Sequence, residues 1–320
     1  MPKVLIIQPI HDDGMALFHA RDDITCDIVD GSSIEEVREK IVDADGVALR
    51  TMVLSADVLE RAERLKVVSR HGVGYDNVDL DALNRMGVPL ALAADANATA
   101  VAEHTLFMML HLAKRGERHD HATRSGAWEV RNRLEATDIG GKRLLIVGFG
   151  RIGKEVAKRC LAFGMHITAC DPYIATGVIE AAGCQPVDDF RTVLGETDIL
   201  TLHTPLTAET RHMIGAAELA ALPRHALLVN CARGGIVDEQ ALAAALGTGQ
   251  IAGAGVDVFE QEPPPADHPL FALDNVILSP HNAGVSLDAA RRMAVSTARN
   301  VLAGIDGTLD PAMVVNKAVL

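Results

Sequence analysis

Apolar and polar positions alternate in blocks along the first part of this chain. Compact apolar runs at Val4–Ile7, Ile24–Val29, Val47–Leu49, Val67–Val68 and Val88–Leu90 predict short, fully buried strands. The intervening stretches, 15–20, 33–41, 55–63 and 79–86, carry helical spacing, with Ser33 and Ser55 as N-caps and Gly87 as a C-terminal stop. Strand and helix in turn imply a mostly parallel sheet covered on both faces. Residues 97–115 then read as one long helix, with Ala98, Val101, Ala102, Thr105, Leu106, Met109, Leu112 and Ala113 on a broad apolar stripe. Such a helix spans roughly 30 Å and could carry the chain from one domain to the next. Residues 115–142 are charged, hold the only tryptophan, Trp128, and read as an arm. A second series of strands follows at Leu144–Val147, Met165–Cys170, Ile199–Leu202, Ala226–Asn230, Ala252–Val256 and Val276–Leu278. A helix over Leu287–Leu302 opens the tail. The fold class is therefore α/β, with two doubly wound parallel-sheet domains.

Composition narrows the function. A chain of 320 residues with 48% apolar and 23% charged residues can bury two cores. Its net charge of −13 argues against nucleic acid or an anionic membrane as partner, so an anionic substrate needs a locally positive pocket. No apolar run is long enough to span a bilayer, and Val4–Ile7 is too short for a signal peptide. Five cysteines, without a C-x-x-C pair, fit a reducing cytoplasm rather than disulfides or zinc. His104, His111, His119 and His121, with Asp120, do not converge in spacing; they read as a solvated helix face, and no metal is expected.

One loop carries cofactor chemistry. Leu144–Val147 runs directly into Gly148-Phe149-Gly150-Arg151-Ile152-Gly153, and a helical pattern follows. This is G-x-G-x-x-G in a strand–turn–helix setting, where the glycines admit a pyrophosphate and the helix N-terminus faces it. The next strand ends at Asp171, whose carboxylate suits ribose hydroxyls and repels a 2′-phosphate, so NAD is the expected cofactor. Arg151 could assist the phosphates or simply be a solvated helix-start residue.

Three later segments, around Arg233, Glu262 and His281, each follow a predicted strand. A 2-keto acid must have its carboxylate held, its carbonyl polarised and a proton delivered to oxygen. Arg233 suits the first two tasks and His281 the third, with Glu262 orienting the imidazole and favouring its protonated form. Taken singly, these are a surface arginine, a solvated glutamate and a core histidine. Their shared position after carboxyl ends of strands favours the catalytic reading.

With these motifs, and with Gly72-Val73-Gly74-Tyr75-Asp76-Asn77-Val78-Asp79, Asn97 to His104 and His203-Thr204-Pro205-Leu206-Thr207, the sequence resembles the D-isomer-specific 2-hydroxyacid dehydrogenase family over nearly its whole length. It looks closest to the D-3-phosphoglycerate dehydrogenase-like members without a regulatory domain. The resemblance implies a Rossmann NAD-binding domain at 97–286 and a flavodoxin-like substrate domain at 1–96 plus 287–320, closing on each other by a hinge. It implies that Arg233, Glu262 and His281 are catalytic, and that Asp257 holds the nicotinamide carboxamide with Cys231 nearby. Arg151 and Ile152 belong to the glycine loop, and His203, Thr204 and Pro205 flank the adenine. The backbone of Val73 and Gly74 would receive the substrate carboxylate. Arg50 and Thr51, with His71 and Asn97, would face the rest of the substrate, a surface role being the alternative for Arg50. A homodimer is the family expectation, and the long helix and Trp128 arm are suitable material for it.

The expected reaction is NAD-dependent hydride exchange with a small anionic 2-hydroxy or 2-keto acid, with 3-phosphoglycerate-like acids among the candidates. A glyoxylate/hydroxypyruvate reductase and a NAD-sensing, corepressor-like binding protein are the alternatives. Formate dehydrogenase is disfavoured by the presence of Glu262. The chain stops near the end of a catalytic core, so feedback by serine through an added domain is not expected. Asn282 replaces the family's common Ile or Thr, and Asp95 replaces a small residue or proline; neither has an assigned role.

Overall fold

A computed structural model describes residues 1–320. Its contacts divide the chain into two units, Met1–Asn97 with Val285–Leu320, and Ala98–Gly284.

In the first unit, β1 (Lys3–Ile7), α1 (Asp12–His19), β2 (Thr25–Val29), α2 (Ile34–Lys40), β3 (Gly46–Leu49), α3 (Ala56–Leu59), β4 (Val67–Arg70), α4 (Leu80–Met86) and β5 (Leu90–Leu92) alternate as the hydrophobic pattern predicts. All strand pairs are parallel, in the order β2-β1-β3-β4-β5, a doubly wound arrangement. Ser33 caps α2 by accepting from Glu36 N–H, and Gly87 ends α4 in the left-handed conformation. Ser55 precedes α3 but turns its hydroxyl to Asp57 instead of capping, and α3 is a single turn, not the longer helix expected over 55–63. The last strand lies two residues later than predicted. Pro89 has no N–H for a ladder, and Val88 N–H is taken by Leu83 of the preceding helix, so pairing starts at Leu90.

In the second unit, α5 (Ala98–Lys114) and α6 (Gly116–Arg124) lead into β6 (Arg143–Val147), α7 (Arg151–Ala162), β7 (His166–Cys170), α8 (Thr176–Ala181), β8 (Gln185–Pro186), β9 (Ile199–Leu202), α9 (Ala216–Ala221), β10 (Leu227–Asn230), α10 (Glu239–Gly247), β11 (Gly253–Val256) and β12 (Val276–Leu278). The sheet is again all parallel, ordered β12-β11-β10-β9-β6-β7-β8. Strand order reverses beside β6, so the ends of β6 and β9 flank a topological switch point. Apolar cores cover both faces; one holds Leu200, Leu228 and Ile236, the other Met108, Ile146 and Val156. The long helix ends where Arg115 adopts a left-handed conformation (φ 51°), and the charged arm carries α6 and a 3₁₀ turn with Trp128 61% exposed.

The chain then returns to the first unit as α11 (Leu287–Ile305), capped by Ser286 and laid on α1 and on β3 and β4. Its buried Asn300 donates to Leu92 O and Ser69 Oγ, and Asn316 accepts from Leu90 N–H, so the tail satisfies polar groups at β4 and β5. No helix is long and apolar enough to cross a membrane, and all five cysteines are unpaired.

Candidate active site

The glycine loop sits at the carboxyl end of β6. A Cβ on Gly148 (φ 96°) would lie 2.5 Å from His203 O, and one on Gly153 would lie 2.2 Å from Gly148 O. Both glycines are thus required by close backbone approach. Gly150, by contrast, faces open space and precedes the first turn of α7, whose amides have no partner within the helix. That combination fits a pyrophosphate group. Ile152 is partly buried against the core below, while Arg151 is exposed at the helix start.

Asp171, just after β7, already accepts from Phe149 N–H (2.7 Å) and Tyr173 N–H (2.9 Å). A carboxylate has about four acceptor sites, so roughly two remain for ribose hydroxyls. Beyond the ligand role its position implies, Asp171 ties the glycine loop to β7. At the end of β9, His203 Nε2 bonds Thr201 Oγ1 at 3.0 Å, and burial pulls its ring down to about 3, leaving it neutral. His203 Nδ1 and Thr204 Oγ1 are buried without a partner, which suits polar atoms that await a ligand. Pro205 is exposed and accepts from Thr210 Oγ1 through its carbonyl. Cys231 turns its thiol away from the loops. Its Sγ lies 3.7 Å from Met108 Sδ inside the core under α5, and burial pushes the thiol up to about 12. Any part Cys231 takes in cofactor binding is through its backbone.

Arg233 follows β10. The buried Asn230 side chain accepts from Ala232 N–H (3.0 Å) and donates to Arg233 O (2.9 Å), and Arg233 Nη1 donates to Ala232 O. Next to it, a Cβ on Gly234 would fall 1.8 Å from Phe259 O, so the Arg233 loop lies directly on the segment that carries Glu262. Glu262 Oε1 accepts from Phe259 N–H at 3.0 Å and Oε2 meets His281 Nδ1 at 2.7 Å. Burial opposes the Glu262 charge, but the bonds from His281 and Phe259, with the charges of His281 and Arg233, outweigh it and hold the carboxyl below its usual range.

His281 has a positive φ of 50°, uncommon for a residue with a side chain. The surrounding bonds impose it. His281 N–H donates to Asp257 O (2.8 Å), and the buried Asp257 carboxylate accepts from Ser279 Oγ (2.5 Å), Asn282 N–H (2.9 Å) and Ala283 N–H (3.0 Å). Asn282, which had no assigned role, contributes its backbone amide to this arrangement. The His281 and Glu262 side chains remain 46% and 38% exposed, within reach of a small molecule. An apolar cleft of about 570 Å³, walled by Phe259, Phe271, Leu278 and Pro280, opens beside them.

His104 was expected on a solvated helix face. Instead its side chain is only 19% exposed and its Nε2 lies 3.0 Å from Ser279 Oγ. This contact joins residues 175 positions apart, and no local pattern announces it.

In the first unit, β4 runs into the loop Gly72-Val73-Gly74, and neither Val73 nor Gly74 donates its N–H within the protein. His71 is buried there with Nε2 unpartnered, and burial, with Arg50 and Arg70, drives it down to about 4. It is therefore neutral near pH 7 and offers an anion no charge. Arg50 stays partly exposed, held by a bond from Nη1 to Pro9 O (2.9 Å). The Thr51 hydroxyl is engaged by Gln8, a residue given no role from sequence, whose Oε1 also accepts from Thr51 and Met52 N–H. Asn97 Oδ1 is buried and unpartnered.

A glycine loop at a switch point lies next to strand-end loops that present an arginine, a carboxylate and an imidazole, an arrangement that suits nucleotide binding beside proton transfer. Comparison gives the family. Residues 106–283 match the family model described as D-isomer specific 2-hydroxyacid dehydrogenase, NAD binding domain. The chain belongs to that family. It is 42% identical over 295 residues to D-3-phosphoglycerate dehydrogenase of Methanocaldococcus jannaschii, covering 92% of this chain and 55% of that one. The chain thus spans about half the length of this relative. It is 36% identical to glyoxylate reductase of Thermofilum pendens, covering 100% of this chain and 96% of the relative. Among solved structures, D-lactate dehydrogenase from Aquifex aeolicus, complexed with NAD and lactic acid, superposes with a TM-score of 0.85 at 28% identity, covering 95% and 96% of the two chains.

Proposed function

We propose that this protein is an NAD-dependent D-2-hydroxyacid dehydrogenase acting on a small anionic 2-hydroxy or 2-keto acid. The observation that carries the reading is the 2.7 Å Glu262–His281 pair on loops that also present Arg233. NAD, when bound, exchanges hydride with the substrate carbon. The glycine loop and α7 would hold its pyrophosphate, Asp171 its ribose, and Asp257 its carboxamide through the acceptor capacity its three bonds leave. Asp171 favours NAD over a 2′-phosphorylated cofactor.

In the reductive direction, Arg233 binds the substrate carboxylate and polarises the carbonyl. The Glu262 carboxylate fixes the ring through Nδ1, which leaves Nε2 to deliver the proton to the substrate oxygen. In the oxidative direction neutral His281 takes the hydroxyl proton. On the first unit, the Val73 and Gly74 amides are candidates for carboxylate binding, and Arg50 for a distal anion such as phosphate. Coverage of the glyoxylate reductase over nearly its full length favours glyoxylate as a second substrate reading. The cysteine pattern supports a cytoplasmic setting, and the exposed Trp128 arm supports a homodimer.

The test is a panel of glyoxylate, hydroxypyruvate and phosphohydroxypyruvate with NADH or NADPH, run on wild type and His281→Ala. Turnover of at least one acid with NADH is expected, and loss of about 10²-fold or more in the variant with NADH binding retained. No turnover while NADH binds would transfer the protein to the NAD-sensing class. Undiminished turnover in His281→Ala would remove His281 from the mechanism.

A further inference from the structure

The His104–Ser279–Asp257 chain touches no group assigned to substrate, yet it ends on the loop that presents His281. The direction of each bond can be assigned. Ser279 Oγ has one hydrogen and lies 2.5 Å from Asp257 Oδ1, so it donates there. Its contact with His104 Nε2 at 3.0 Å must then be one it accepts, which places the His104 proton on Nε2. His104 itself sits 3.8 Å from Asp257 Oδ1, too far for a direct hydrogen bond. It stands on α5, packed near Phe107, and α5 lies against β10, β11 and β12, which carry the site loops. Asp257 in turn receives the amides of Asn282 and Ala283 on its carboxylate and that of His281 on its carbonyl. Those bonds hold His281 at its positive φ.

We infer that His104 is a positioning residue for proton transfer: its Nε2–H fixes Ser279 on Asp257, and Asp257 holds the backbone that aims His281. The inference rests on the acid/base reading of His281. It requires a donor at the place of Nε2, not a ring. Glutamine can present an amide N–H₂ at that reach, whereas asparagine is shorter and presents it near the place of Nδ1.

The experiment compares His104→Gln, His104→Asn and Ser279→Ala in steady-state reduction of the best keto acid of the panel. His104→Asn should lower kcat about tenfold, the scale of one weakened hydrogen bond expressed in a barrier. KM for the keto acid should stay within about threefold, because Arg233 is untouched. His104→Gln should restore most of kcat. The His104→Asn/Ser279→Ala double variant should be no slower than Ser279→Ala alone, since both act through one chain of bonds. Equal kcat in all variants, or equal losses for Gln and Asn, would overturn the inference while leaving the His281→Ala result intact. Additive losses in the double variant would do the same. Turnover preserved in His281→Ala would instead overturn the acid/base reading, and the inference with it.

Discussion

Asp257 fixes the backbone of the segment that presents His281. Its carbonyl and both carboxylate oxygens are engaged by the four residues Ser279, His281, Asn282 and Ala283. Glu262 is the complementary case, a half-exposed carboxyl that the His281 and Phe259 bonds hold below its ordinary value of 4.5. It therefore stays ionised at every pH where an imidazole exchanges protons, and the pairing persists across that range. In Glu262→Gln the neutral amide can still orient the ring but no longer supports its positive charge. Turnover in the reductive direction should therefore fall about tenfold. Steady-state kcat on both proteins checks this; equal values would show that the charge of Glu262 does not matter. At this scale residue type marks Arg233, Glu262 and His281 as candidates, and the fold brings the Glu262 and His281 side chains into contact. The sequence was silent on His104, Ser279 and Gln8, whose work is hydrogen bonding to residues that only the fold brings near, and on Asn230, which braces its own loop through Ala232 N–H and Arg233 O.

Each element was legible in proportion to how local its cause is. Buried parallel strands need only a short apolar run, and β1, β6, β9 and β10 fall within a residue of their predicted places. The strand β8 escaped because two residues, one of them proline, make no pattern, and α6 because its helix is polar nearly all round. The loops of Arg233, Glu262 and His281 were located by the apolar strands they follow, but their mutual packing was not. Gly234 shows why: what excludes a side chain there is the carbonyl of Phe259. Gly234→Ala should force the Arg233 and Glu262 loops apart, costing about 1–3 kcal/mol of stability. Turnover should fall more than tenfold, because a displacement near 1 Å in a catalytic constellation is that costly. Gly177 is the control. It lies in α8 with nothing within 4 Å of a Cβ, so Gly177→Ala should leave turnover unchanged and raise stability by about 0.5–1 kcal/mol. Melting temperatures and kcat for the two variants decide the matter; a fully active Gly234→Ala would mean the two loops do not need this contact.

Over the whole molecule, stability and catalysis should respond to acid in different ways. The net charge of −13 diminishes as carboxylates take up protons, but two histidines, His71 buried and His203 half-buried, act earlier. His71 in the first unit is driven to about 4 by burial, with Arg50 and Arg70 adding to it, and His203 in the second is driven to about 3 by burial. In the unfolded chain both take up a proton near 6.5. Between those values the unfolded state binds more protons than the folded one, so stability falls as pH falls. The contribution of neutral His71 is complete above pH 6.5, declines toward about pH 4, and is then exhausted, amounting to at most about 3 kcal/mol. His71→Gln removes the titration while keeping a polar side chain beside the glycine loop. Urea unfolding at pH 7.5 and pH 5.0 should therefore show a smaller loss in the variant than in wild type, the difference belonging to the first unit alone. Because His71 is neutral at pH 7 in this scheme, the variant should also retain affinity for anionic substrates to the extent that Arg50 and Arg233 supply the charge. An unchanged pH slope in His71→Gln would mean that the folded protein does protonate His71, and the positive charge at the Gly72–Gly74 loop would then have to be counted in substrate binding.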